Sequence, residues 1–83
     1  MDISIFATIG FTVASLDRVS IVVYDIAGRR VRELYDQAPT FVGYHEIQWN
    51  GSTDSGEIAG SGVYFYRMTA PGLDTSRQMI MVR

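Results

Sequence analysis

Val63-Tyr64-Phe65-Tyr66-Arg67-Met68-Thr69 sets β-branched and aromatic side chains at most of seven consecutive positions, the composition that a pleated, half-buried surface selects. Glycines precede it, and Ala70-Pro71-Gly72 follows, so it reads as a strand punctuated at both ends. Past that turn, Thr75 to Val82 (TSRQMIMV) gives a last strand. Upstream, Tyr44 to Asn50 (YHEIQWN) places His45, Ile47 and Trp49 on one side, and Val19 to Ile26 (VSIVVYDI) does the same with Val19, Ile21 and Val23. Short strands with turn signals about every ten residues predict an antiparallel sandwich or barrel.

The remaining segments fit that plan. Ser15-Leu16-Asp17-Arg18 is a polar turn, and Ala27-Gly28 ends the second strand in a short hairpin with Gly28 at positive φ. Arg29 to Tyr35 (RRVRELY) has helical i, i+3, i+4 spacing at Val31, Leu34 and Tyr35, but the hairpin before it and its seven-residue length favour a strand. Asp36 to Gly43 reads as a loop, marked by Pro39 and Gly43, and Gly51 to Gly62 as a longer one suited to binding. Ile3 to Leu16 carries no charge, yet it is shorter than the ~20 residues of a membrane span, and no positive segment precedes it as in a signal peptide. Its period is that of a strand, with Ile3, Ile5, Ala7, Ile9, Phe11 and Val13 on one face. No repeat or linker divides residues 1–83, which read as a single domain.

Composition narrows the function classes. With 47% hydrophobic and 12% aromatic residues the chain has enough apolar surface to order itself, and a formal charge of −2 argues against a nucleic-acid partner. There is no cysteine to staple so small a unit. All seven basic residues are arginine (Arg18, Arg29, Arg30, Arg32, Arg67, Arg77 and Arg83), which excludes lysine nucleophiles and Schiff bases. The single histidine excludes a two-histidine metal site within the chain.

The candidate chemical sites are few. Asn50, Asp54 and Glu57 offer oxygen ligands for calcium, although the glycine spacing of an EF-hand is missing and Asx-turns with Gly51 and Gly56 at positive φ account for the same residues. Asn50-Gly51-Ser52 is also a glycosylation sequon, a common pattern. His45 and Glu46 are strand neighbours, which alternation sends to opposite faces, so His45 reads as structural. No nucleophile elbow or carboxylate pair is present, and the expectation is a non-enzyme without cofactor. Tyr24, Tyr35, Tyr44, Trp49, Tyr64 and Tyr66 can stack on sugars or bases, or fill the core and rim. Strands at both ends expose edges, which Arg29, Arg30, Arg32 and Arg77 can guard.

Five motifs occur in order: Val23-Tyr24-Asp25-Ile26-Ala27-Gly28-Arg29-Arg30-Val31-Arg32, Gly43-Tyr44-His45-Glu46-Ile47-Gln48-Trp49-Asn50-Gly51, Asp54-Ser55-Gly56, Ala59 through Met68, and Arg77 through Arg83. Together they resemble the type A C-terminal sorting domain of the type IX secretion system, a pattern shared with the immunoglobulin-like domain of the flagellar hook-capping protein. The resemblance runs from about Ala7 onward. It implies an all-β, immunoglobulin-like antiparallel β-sandwich of about six to seven strands. As a sorting domain, the chain would be a non-catalytic recognition module of a secreted or cell-surface bacterial protein, read by the secretion machinery through Gly62, Tyr64, Tyr66, Arg77, Met79, Met81 and Arg83. It departs from the family at Met1-Asp2-Ile3-Ser4-Ile5-Phe6, where an Asn-Pro-Phe-Asn-Pro-like segment is usual, and at Gln78, where lysine is usual. The first departure suggests a truncated, excised or free-standing version. Alternative expectations are an immunoglobulin-like domain of a hook-cap-type protein, contacting neighbouring domains, or a structural subunit that self-associates through the strand of Ile3, Ile5, Ile9, Phe11 and Val13.

Overall fold

The computed structural model describes residues 7–82, without the side chains of 38 and 39. Ile3, Ile5 and Arg83 lie outside the described residues. Six strands follow in order: β1 (Ala7–Val13), β2 (Asp17–Asp25), β3 (Arg30–Thr40), β4 (Gly43–Trp49), β5 (Gly62–Ala70) and β6 (Leu73–Met81). All pairings are antiparallel, in a two-stranded sheet β1-β4 and a four-stranded sheet β3-β2-β5-β6. The expected all-β, immunoglobulin-like sandwich is the architecture found.

Alternation decides which side of each strand is inside. Ile9, Phe11 and Val13 of β1 are buried, whereas Thr8, Gly10 and Thr12 are exposed. On β2, Val19, Ile21 and Val23 are 0–2% exposed. Ile21 is opposite Met68 and Val23 is opposite Tyr66, so β5 continues the same inner face. One half of the core gathers Ile9, Phe11, Val13, Val19, Ile21 and Met68. The other half gathers Val23, Trp49, Ala59, Tyr64 and Met81. His45 belongs to this packing. Its ring stacks on Phe11 with centroids 5.3 Å apart, and its Nε2 lies 2.6 Å from the Phe41 carbonyl oxygen.

The loop expected over Asp36 to Gly43 is instead largely strand. Asp36 and Gln37 pair with Ser20 and Val19, and Thr40 pairs with Asp17 across a register shift. Residues 38 and 39 fall in that shift, where Pro39 has no ladder partner to satisfy. Thr40 anchors the strand's end, 1% exposed, with its hydroxyl 3.2 Å from the Gln37 carbonyl and 3.1 Å from the Tyr35 hydroxyl. At the β2–β3 turn Gly28 has φ of 82°, the left-handed value expected of it. Asp25 organises the same turn, its Oδ1 accepting the backbone N–H groups of Ala27 and Arg29.

Burial predicts a sharp contrast between two isoleucines. Ile21→Ala removes a side chain that is 0% exposed and should cost about 2–5 kcal/mol, a large part of the roughly 4–12 kcal/mol expected for a chain this long. Ile80→Ala, at a position 69% exposed, should stay within about 0.5 kcal/mol. Urea unfolding followed by the fluorescence of the single tryptophan, Trp49, measures both, and equal costs would contradict the placement of β2 at the centre.

Candidate interaction surface

The long loop after β4 is tied down from three sides. Asn50 Oδ1 accepts the Ser52 backbone N–H at 3.0 Å and the Ser52 hydroxyl at 2.7 Å, an Asx-turn. Trp49 Nε1–H donates to the Ser52 carbonyl at 2.9 Å while its ring meets Tyr64 edge-on, centroids 5.1 Å apart. Asp54 reaches a different element, the free edge of β3. Its backbone N–H donates to the Val31 carbonyl at 2.9 Å, its Oδ1 accepts the Glu33 N–H at 2.9 Å, and its Oδ2 accepts from Arg30 Nε at 3.2 Å. Arg32 Nη1 donates to the Ser52 hydroxyl and the Thr53 carbonyl at 3.2 and 3.0 Å. Glu57 closes the loop through its backbone, donating N–H to Thr53 Oγ1 and accepting from the Thr53 N–H.

The oxygens of Asn50 and Asp54 offered as calcium ligands are thus engaged by N–H and O–H donors. Among the described residues no group of three or more histidines, cysteines, aspartates or glutamates converges to hold a metal. The arginines on β3 do more than guard an edge: Arg30 and Arg32 hold the loop that covers it.

The residues expected to meet secretion machinery are divided by the core boundary. Tyr64 and Met81 are buried, 8% and 2% exposed, and the Tyr64 hydroxyl donates to the Gly60 carbonyl at 2.6 Å. Tyr66 and Met79 are half-buried and pack against both halves of the core. Gly62 and Arg77 are exposed. Ile9, Phe11 and Val13 point into their own core, so what β1 offers outward is its backbone edge.

That edge borders a groove the sequence reading did not assemble. Two strands face four, and β4 follows β3 through the exposed Phe41-Val42 turn, which leaves β1 on the side of β5 and β6. A groove of about 270 Å³ opens between β1 and the β5–β6 pair, lined by Gly10, Thr12, Tyr66, Met68, Thr75 and Arg77 among others. Tyr44 leans over its rim, close enough that a Cβ at Gly10 would fall on the phenol. Five described arginines have polar partners in Asp36, Asp25, Glu33 with Asp54, the Ser52–Thr53 segment, and Asp74. Arg77, in the groove, has neither a side-chain hydrogen bond nor an ion pair among the described residues.

The fold is that of a small immunoglobulin-like sandwich, two strands stacked on four, with an open edge at β1. The chain matches the FlgD Ig-like domain family over residues 7–74 and belongs to that family. No curated protein and no solved structure matches it. Among the described residues no helix is long and apolar enough to cross a membrane.

The loop clamp also fixes an acid response. The Glu33 backbone N–H, followed by Arg30, holds the Asp54 carboxyl below its ordinary range, and the Arg29 backbone N–H does the same for Asp25. Stability from such lowered groups is complete above the unfolded carboxylate value of about 3.9 and is lost as pH falls through their lower folded values. The melting temperature should therefore hold from pH 7 to 5 and fall below about pH 4. Asp54→Ala should lower it at pH 7 and flatten the acid fall, and an unaltered acid fall would show that Asp54 does not clamp the loop.

Proposed function

We propose that the chain serves as an immunoglobulin-like structural module of a flagellar hook-cap-type protein, acting outside the cell and contacting other flagellar proteins. The family match over residues 7–74 carries this reading and favours it over a type IX sorting module, which has only the motif resemblance behind it. The surface supports a contact role. Leu16, Phe41, Val42 and Leu73 are all exposed at turns on one end of the sandwich, and the groove beside β1 adds an unfilled edge. Rigid sheets positioning exposed turns are a common arrangement for recognition.

A photo-reactive residue placed at Phe41 or Thr12 of the purified chain, mixed with hook and hook-cap proteins from the same bacterium, should cross-link to one of them. The reading fails if no flagellar protein is captured while the chain, fused to the C-terminus of a reporter, directs its export in a type IX-competent cell.

A further inference from the structure

We propose that the groove between the outer edge of β1 and the inner face of β6 accepts an extended segment of a partner protein. That segment pairs with the β1 backbone, presents a carboxylate to Arg77, and places an apolar side chain two residues away against Tyr66 and Met68. This deepens the reading of the chain as an interaction module and rests on it.

Three observations converge on such an occupant. β1 is the unguarded edge: Ala7–Val13 (ATIGFTV) holds no charge and no proline, the usual devices against strand addition. β3 is covered by the Thr53–Asp54 segment and its arginines, β4 carries Glu46, and β6 carries Asp74 and Arg77. Along β1 the described residues pair with β4 alone, so half of its backbone donors and acceptors face outward over the groove.

The floor beneath is built for a strand. A strand added to β1 would lie about 4.8 Å beyond it and about 10 Å above β6, the ordinary spacings of a sandwich. On β6 the inner-face residues are Thr75, Arg77, Met79 and Met81, opposite Met68, Tyr66, Tyr64 and Gly62 of β5. On that face Met81 is buried, Met79 and Thr75 are half-buried and Arg77 is exposed, so cover is thinnest at Arg77 in the groove.

Charge selects the partner's side chain. Arg77 has no carboxylate among the described residues, while Arg18, Arg29 and Arg67 each have one and Arg30 has two. A second copy offering its own β1 does not answer Arg77, because Ala7–Val13 carries no acid. The groove floor adds a second demand, an apolar side chain to meet Tyr66 and Met68. An acidic–apolar alternating strand meets both demands, the main chain giving affinity and the alternate side chains giving selection.

The test uses three seven-residue peptides with blocked ends. The first alternates threonine with valine, glutamate and valine; the second replaces glutamate by lysine; the third repeats the first with N-methylated backbone amides. Titration of the whole chain, followed by amide chemical shifts, should show the first peptide perturbing Ala7–Val13 and Thr75–Met79. The second should bind roughly tenfold more weakly, and the third not at all. Arg77→Glu, at an exposed position, should keep the fold and reverse the preference between the first two. The proposal is overturned by shifts at another edge, by equal binding of the N-methylated peptide, by no binding at millimolar peptide, or by a dimer in sedimentation that buries β1. Peptide failure with cross-linking to a hook protein retained would remove the groove alone and leave the module reading standing.

Discussion

A two-stranded sheet cannot cover a four-stranded one, and most of what is distinctive in this molecule follows from how that shortfall is distributed. On the β3 side the deficit is made up by the chain itself, because the loop after Trp49 folds back and lays Thr53 and Asp54 along the open edge. On the β6 side the described residues supply nothing comparable, and the inner face shades from the buried Met81 to the open Arg77. The core accommodates this by concentrating burial along β2, which is hydrogen-bonded on both flanks and holds three residues at 0–2% exposure.

Polar contacts secure the perimeter where apolar cover runs short. Asp25, Asp36, Asp54 and Asp74 each accept from an arginine, and all four carboxyls are held below their ordinary range by hydrogen bonds from those arginines or from backbone N–H groups. These pairs are solvent-exposed, so each adds little by itself. Their effect is geometric: Asp25 fixes a turn, and Asp54 joins a loop to a strand that is 21 residues away in sequence at Glu33. The absence of lysine fits this use, since a planar guanidinium with several fixed donors can hold a backbone carbonyl and a hydroxyl together, as Arg32 does.

Period-two burial made the strands legible in the sequence. Ile9, Phe11 and Val13, Val19, Ile21 and Val23, and Ile47 and Trp49 face inward as their spacing demands. Pro39 misled because local chemistry marks a turn, whereas the tertiary context offers a bulge in an edge strand. Asp54 read as a local turn-former or cation ligand because nothing in its neighbourhood reveals that β3 will supply its partners. The groove was legible only in part: the uncharged run around Gly10 was visible, but the meeting of Thr12 with Thr75 and Arg77 exists only once the two sheets are stacked.

The same shortfall connects stability to recognition. A chain of this size without a disulfide has a small margin, and its least covered surface is also its least protected edge. A strand that occupied the groove would add main-chain hydrogen bonds and cover Tyr66 and Met68, both already packed in the core. Binding there would stabilise the fold in proportion to occupancy. A closed sandwich would have no such coupling, whereas the two-on-four arrangement would let a strand bound in the groove complete the domain rather than only touch it.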